Sequence, residues 1–459
     1  MHILRMTQFQ QARLQRHLFD GTGFEAVAVG LCGYIAAGGR SVFALHRIVE
    51  IPAEECIRTP VSVTWPTGRM KALLAEAREC GMALLKIHSH PGGYRGFSEQ
   101  DDRSDFDLFN AVGLKVVGEH VSAIMLPDGS IFGRRVGIGG PRGKLDRVTV
   151  VGDDLVIWSP SDEEEGRSEF DVRHRQMFGD RTTSLLRKLS VGVAGVSGSG
   201  SPTIEMLVRL GVGRIVMIEP DHVEAKNLNR IYGATRADAK AEVNKAQMMR
   251  AHIGRVGLGT EVEIVENYAD SSEAIALLAT CDVLFGCMDS VEGRDTLNRI
   301  ATFFSLPYLD LGVRIDADGA GGVESVSGAV HYLQPGGSSL RSRGVYTADE
   351  LHADVLRRTD PLFYEDQVRR GYIRGINVDR PAVISVNTLI ASMAVNELLA
   401  RLHPFRTRPN SDFAIQRVSI SHGRIILRPD GEPDQLLAPH VGRGTANPPL
   451  LLPRLGGAA

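Results

Sequence analysis

Cysteine is scarce in this chain of 459 residues: Cys32, Cys56, Cys80, Cys281 and Cys287 are the whole supply. They form neither a disulfide framework nor a Cys-x-x-Cys pair, so a small cross-linked secreted scaffold is excluded and a reducing cytoplasm is the expected compartment. No apolar run is long enough to span a bilayer. Met1 to Arg16 is polar and lacks the apolar stretch of a secretory leader. An excess of one charge is missing too. The formal net charge of −3 gives no electrostatic reason to expect nucleic acid or an anionic membrane as partner. No internal repeat is visible. What is there, 43% apolar and 23% charged residues, is the composition of a soluble globular protein. The length asks for two or three domains.

Three textures follow one another. Residues 1–150 alternate short apolar runs (Ala26–Leu31, Ser41–Ile48, Ala83–Ile87, Val121–Leu126, Ile131–Val136) with turn signals, and a helix is expected near Gly68–Cys80. That is an α+β pattern. Residues 151–170 contain the acidic run Asp162 to Glu165 and read as a linker. Residues 171–428 alternate strand-like runs (Val191–Gly195, Arg214–Ile218, Val262–Glu266, Val283–Gly286, Tyr308–Leu311) with helical ones, as in α/β folds with a parallel sheet. Near Ser411 the pattern changes to the short strands Phe413–Ile420 and Arg424–Leu427. Residues 429–459 are rich in Pro and Gly and are expected to be a flexible tail.

His88 and His90, followed by Ser98 and Asp101, form the first chemical constellation. Residues i and i+2 of a strand share a face, so both imidazoles can reach one metal. Ser98 begins a predicted helix, and positions i and i+3 share a helix face, so Asp101 can reach the same ion. Two histidines and one carboxylate leave an open coordination position, the arrangement of a hydrolytic zinc site. The set His88, Ser89, His90, Pro91, Ser98 and Asp101 resembles the JAMM (JAB1/MPN/Mov34) metalloprotease motif over roughly the first third of the chain. The resemblance implies zinc-assisted hydrolysis of an isopeptide or peptide bond after the terminal glycine of a ubiquitin-like protein. It also implies Glu25 as general base and Ser98 as a group that steadies the water or the oxyanion. Glu50, Glu54 and Glu55 are rivals for the base, although none precedes a strand as Glu25 does.

Val191 to Ala194 is a strand entering a glycine-rich turn, Gly195, Ser197, Gly198, Ser199 and Gly200, before a helix; a second strand ends on Glu219. Backbone amides at such a helix start bind phosphate, and an acid ending the second strand can bind ribose. By itself this fits an NAD-dependent oxidoreductase equally well, with Ser197 replacing one fingerprint glycine. Further on come Asn227, Leu228, Asn229 and Arg230, then Lys245, then Asp289 at the end of another strand. This ordered set resembles the ThiF/MoeB/HesA family, the adenylating domain of ubiquitin-activating enzymes, from about Arg173 to Phe405, and Pro381 to Asn387 resembles its late strand-to-helix segment. The resemblance implies ATP and Mg²⁺ as cofactors, with a C-terminal glycine carboxylate attacking the α-phosphate. Gly195, Gly198 and Gly200 would shape the loop, and Glu219 with Asp221 nearby would take the ribose. Asn229, Arg230 and Lys245 would contact phosphates, and Asp289 would hold Mg²⁺. Arg175 would reach the ATP of a partner subunit, implying a homodimer.

Two departures qualify this resemblance. No cysteine follows Cys287 to act as acyl acceptor, and Cys281 and Cys287 bracket a predicted buried strand. Where the family has a Cys-x-x-Cys zinc pair this chain has Ser339 and Ser342, and serine is a poor zinc ligand. The expectation is therefore a Rossmann-like doubly wound domain behind an α+β JAB/MPN-like domain. Its two activities are a zinc (iso)peptidase and an adenylyltransferase acting on a ubiquitin-like or sulfur-carrier protein with a Gly-Gly end. A conjugating enzyme is a possible further partner. The alternative is a metalloprotease fused to a module that binds nucleotide or a protein tail without turnover. Arg454, Leu455, Gly456 and Gly457 resemble a ubiquitin-like tail with two residues beyond it.

Overall fold

The computed structural model describes residues 1–159, 169–317, 322–373 and 382–456. They divide into two compact units. The first takes in the described part of 1–163, Thr302–Ser305 and the described part of 439–459; the second takes in the rest.

The first unit contains β1 (His2–Thr7), α1 (Gln8–Leu18), β2 (Val27–Ala37), β3 (Arg40–Glu50), β4 (Ile57–Thr59), β5 (Ser62–Thr64), α2 (Met70–Cys80), β6 (Ala83–Ser89), α3 (Glu99–Gly113), β7 (His120–Met125), β8 (Ile131–Gly137), β9 (Gly140–Lys144), β10 (Arg147–Val151) and β11 (Leu155–Trp158). Nine strands form one mixed sheet in the order β11-β10-β1-β3-β2-β6-β7-β8-β9, and β4 and β5 pair separately. Side-chain alternation divides the core between the two faces. Ala83, Leu85 and Ile87 of β6 pack with Leu14 and Leu18 of α1. Leu84 packs with Val27, Val29, Phe109 and Val112, on the face covered by α2 and α3. Each fully buried Leu or Phe contributes about 1.5–3 kcal/mol. This parity decides the site: Lys86 and His88 follow Leu84 onto the α3 face.

The expected strands are present close to their predicted bounds, except that β2 runs on past Leu31 to Ala37, and the helix begins at Met70. Two elements were not legible in sequence. β1 lies inside the sheet, between β10 and β3, yet it carries a buried Arg5 that breaks the apolar pattern. α1 buries only Leu14 and Leu18 and otherwise reads as polar. Its start is a capping box: the Thr7 hydroxyl accepts the Gln10 N–H at 3.2 Å, and the Gln10 side chain accepts the Thr7 N–H at 2.8 Å. The sheet also runs on through β10 and β11, past the boundary expected at 150. The acidic run from Asp162 to Glu165 lies outside the described residues.

The second unit contains α4 (Val172–Lys188), β12 (Ser190–Ala194), α5 (Gly200–Arg209), β13 (Arg214–Ile218), α6 (Arg236–Lys240), α7 (Lys245–Val256), β14 (Glu261–Val265), α8 (Ser272–Ala279), β15 (Val283–Gly286), α9 (Val291–Phe303), β16 (Tyr308–Ala317), β17 (Val323–Leu333), α10 (Ala348–Thr359), α11 (Pro361–Arg369), α12 (Ile384–Leu402), β18 (Ile415–Ser419) and β19 (Arg424–Arg428). The sheet order is β14-β13-β12-β15-β16-β17-β18-β19. The first five strands are parallel and the rest antiparallel, a Rossmann-like mixed α/β arrangement. The order reverses between β12 and β15, the kind of switch point at which open α/β sheets bind ligands beyond the strands' carboxyl ends. The short strands expected near Ser411 are β18 and β19, which extend this same sheet.

The expectation of a flexible tail is corrected over 429–456. Asp430 accepts from Arg343 at 2.8 Å, and the Asp434 N–H donates to the Gly337 carbonyl at 3.0 Å. Beyond Pro439 the chain lies along β2 and β3. The Gly33 N–H donates to the Gly442 carbonyl at 3.0 Å, and His46 Nδ1 meets the Val441 carbonyl at 2.7 Å. Leu450 and Leu452 are buried. Proline and glycine here shape a fixed path rather than a loose one: Gly442 has φ +69°, and a Cβ there would run into the Leu45 carbonyl. Gly457 and the two residues after it lie outside the described residues. No described helix is long and apolar enough to cross a membrane.

Candidate active sites

His88, His90 and Asp101 converge in the first unit, one ligand atom of each lying within 4.8 Å of the others. Three elements bring them together. β6 pairs antiparallel with β2, setting His88 opposite Val27. The chain beyond β6 is held by the His90 N–H donating to the Met125 carbonyl at 3.0 Å. α3 starts with a second capping box, in which Ser98 Oγ accepts the Asp101 N–H at 3.2 Å and Asp101 Oδ2 accepts the Ser98 N–H at 2.7 Å. Asp101 Oδ1 lies 2.9 Å from His88 Nε2, Asp101 Oδ2 lies 3.7 Å from His90 Nε2, and the two Nε2 atoms are 3.2 Å apart. His90 Nδ1 is 2.9 Å from the Tyr94 carbonyl. The carbonyl can only accept, so the Nδ1 proton is the one retained when the ring is neutral, and Nε2 then carries the lone pair a metal needs. The donor set and its convergence fit a divalent ion with nitrogen and oxygen ligands.

Glu25 Oε1 stands 3.8 Å from His90 Nε2. Its backbone is pinned on both sides. The Glu25 N–H donates to the Thr59 carbonyl at 2.9 Å, Arg58 Nε donates to the Glu25 carbonyl at 2.7 Å, and the next N–H, of Ala26, donates to Ser89 Oγ at 2.9 Å. Burial pushes the Glu25 carboxyl up to about 7, with His90 opposing the shift and Asp101 adding to it. Burial also pushes His88 down. It acts the same way on His90, but the nearby Asp101 carboxylate and the bond to the Tyr94 carbonyl outweigh it and leave His90 raised. The Asp101 carboxyl is buried too, yet His88 and His90 hold it far below the usual range. Of the rival glutamates, Glu50 pairs with Arg13 and Glu55 with Arg69, and Glu54 is exposed.

In the second unit the turn between β12 and α5 is built from backbone. Gly195 has φ +89°, and a Cβ there would lie 2.5 Å from the Cys287 carbonyl. A Cβ on Gly200 would collide with the Gly195 carbonyl, and one on Gly198 with the Asn387 amide. Glu219 is buried and accepts the Val196 N–H at 2.7 Å and the Asp221 N–H at 3.0 Å, so it ties the turn to the end of β13. Burial raises its carboxyl, against Lys245. Lys245 Nζ lies 3.9 Å from Glu219 and donates to Asp221 Oδ2 at 2.9 Å. Arg230 packs near Gly198 and donates to the carbonyl of Lys226 and to Asn229. Asp289 is exposed, just beyond the Cys287–Met288 segment that touches Gly195.

Two site residues escaped the sequence reading. Asn387 lies against Gly198 and was noted only as part of a segment whose first residue, Pro381, is outside the described residues. Asn244 caps α7 and donates to the Glu219 carbonyl at 2.9 Å; an Asn directly before a helix was the available signal. Arg175 is not brought to the turn. It bonds Asp171 at 2.9 Å and pairs with Asp180. Ser339 and Ser342 close a turn on each other, and Ser339 bonds Asp434, so hydrogen bonds occupy the place of a thiolate–metal cluster. Burial pushes the Cys287 thiol up to about 12, which leaves it inert as a nucleophile near neutral pH.

The ThiF family model matches residues 172–424. The chain belongs to the ThiF family, and residues 1–171 lie outside that match. It is 30% identical over 238 residues to ubiquitin-like modifier-activating enzyme 5 of Culex quinquefasciatus, covering 49% of this chain and 58% of that protein. The Aedes aegypti protein of the same name is 23% identical over 240 residues, with the same shares. The chain thus spans less than two thirds of these relatives' length. Among solved structures, Escherichia coli MccB with ATP is 14% identical, covering 59% of this chain and 74% of that one with a TM-score of 0.43.

Proposed function

We propose that the chain is bifunctional: a zinc-dependent (iso)peptidase of the JAMM type in the first unit, and an ATP-dependent adenylyltransferase of the ThiF type in the second. Both would act on a small ubiquitin-like or sulfur-carrier protein that ends in Gly-Gly. The observation that carries the first half is the convergence of His88, His90 and Asp101 beside a Glu25 carboxyl held near neutrality. A bound zinc ion would supply Lewis acidity toward the amide carbonyl and toward water. Glu25 is suited to take a proton and return it to the leaving amine, because its affinity for protons matches the working pH. Ser98 Oγ already donates to Asp101 Oδ2 at 2.7 Å, so we assign it first to holding that ligand and second to steadying the oxyanion.

The second half rests on family membership and on the turn at Gly195–Gly200. The substrate carboxylate oxygen would bond to the α-phosphorus of ATP as the bond to the β-phosphate oxygen breaks, giving an acyl adenylate and pyrophosphate. Residue roles follow the sequence: the glycines let backbone approach the phosphates, Arg230 and Lys245 neutralise charge, Glu219 and Asp221 face the ribose, and Asp289 holds Mg²⁺. With Cys287 buried and inert, the acyl group would pass to an amine or thiol on a partner protein. Arg175 keeps its proposed role in a homodimer only if it leaves Asp171 and Asp180.

The measurement is ATP–pyrophosphate exchange dependent on a Gly-Gly-ended protein, run beside cleavage of an isopeptide-linked fusion of that protein with and without zinc. Zinc-independent cleavage, or none, would remove the first half. ATP binding without exchange would favour a non-catalytic binding module.

A further inference from the structure

Lys86 stands two residues before His88 on β6, about 7 Å along the strand and on the same face. Its side chain is 5% exposed, and its Nζ donates to Asp105 Oδ1 at 2.8 Å and Ser104 Oγ at 3.1 Å. Asp105 is fully buried and lies one helical turn after Asp101 on α3. Its other oxygen accepts from Arg134 Nε at 3.0 Å and Nη2 at 2.7 Å. The remaining Arg134 nitrogen pairs with Asp102, and the guanidinium lies 3.8 Å from the ring centroid of Phe97, the residue before Ser98. Arg134 therefore grips α3 on both sides of its Ser98–Asp101 cap.

A buried ammonium this near three converging ligand atoms repels a dication, because charges inside protein are weakly screened. Its retention asks for a function, since buried ion pairs add little net stability compared with apolar packing. We propose that Asp105, acting with Lys86 and Arg134, is a positioning residue of the metal site: it cancels the Lys86 charge and holds the first turn of α3 so that Asp101 faces His88 and His90. This rests on reading the cluster as a metal site.

The test uses the full chain stripped of metal and titrated with Co²⁺ or Zn²⁺ against a competing chelator, with the visible spectrum of the Co²⁺ form and the melting temperature of the metal-free form recorded alongside. Asp105→Asn should weaken metal binding about tenfold or more and alter the Co²⁺ spectrum. Lys86→Met alone should bind as tightly as the wild type or more so, and the double variant should recover most of the loss. Lys86→Met leaves Asp105 held by Arg134, so it carries the test if Asp105→Asn is too unstable to handle. Equal weakening by both single variants, an unchanged Asp105→Asn, or a double variant no better than Asp105→Asn would overturn the proposal. Wild-type protein that takes up no Co²⁺ would overturn the metal-site reading itself.

Discussion

At the histidine cluster the geometry is carried by side chains. His88, His90, Asp101 and Glu25 are all buried, each on or beside a regular element; bonds from neighbours orient His90 and Asp101, and the backbone on either side of Glu25 is pinned. At the glycine-rich turn the geometry is carried by backbone. Gly195, Gly198 and Gly200 sit where a Cβ has no room, while Asp221, Asn229 and Asp289 stand exposed. The first arrangement suits a small ion, which needs a few atoms fixed in place before it arrives. The second suits a polyphosphate, which needs close main-chain approach and charges that can move to meet it.

Substitutions can break or sharpen this contrast. The largest expected effect is at Glu25. Glu25→Gln should lower amide hydrolysis by about 10²–10⁴-fold. Metal content, read by atomic emission, should stay unchanged, and a parallel loss of metal would show that Glu25 is a ligand rather than a base. Next comes Gly195→Ala, which forces a left-handed φ and a clash with the Cys287 carbonyl; strain of about 1–3 kcal/mol should cost roughly 10–100-fold in exchange activity. Gly254→Ala in α7, where a Cβ meets nothing within 4 Å, is the control and should be neutral or slightly stabilising. If both glycines behave alike, backbone approach is not what builds the turn.

The pH dependence is smaller over the physiological range. A base must be ionised; burial raises Glu25 in the metal-free site and a bound dication would oppose that shift, so hydrolysis should fall about tenfold per unit once pH drops below the Glu25 titration and level off above it. A profile that stays flat down through the ordinary carboxylate range would remove Glu25 from that role. Smallest in its effect on either activity, because it acts on stability away from both sites, is Gly442→Ala, which opposes a positive φ and the Leu45 carbonyl where the tail lies along β2 and β3. A loss of about 1–3 kcal/mol, with faster proteolysis beyond Pro439, is expected.

The proposed metal ligands were legible because their spacing obeys strand and helix periods directly: i, i+2 for the histidines and a cap plus i+3 for Asp101. The nucleotide-type residues were legible as an ordered set, with glycines where strand meets helix. Lys86, Asp105 and Arg134 were not, because each looks alone like a solvated charge, and their bonds span 19 and 29 positions. The tail misled for a related reason. Its Pro and Gly content matches a disordered segment, whereas its long-range bonds, to Arg343, Gly337, Gly33 and His46, give it a fixed path.

Sequence by itself determined the ThiF family pattern and the candidate ligand set that the peptidase proposal uses, since ligand type, cap and glycine placement are local properties of the chain. Tertiary structure alone decided how each group is tuned. Burial raised Glu25 toward neutrality and left Cys287 inert, and a charge network clamped α3 beneath Asp101. Desolvation and long-range ion pairing depend on what surrounds a residue in space, which residue order does not reveal.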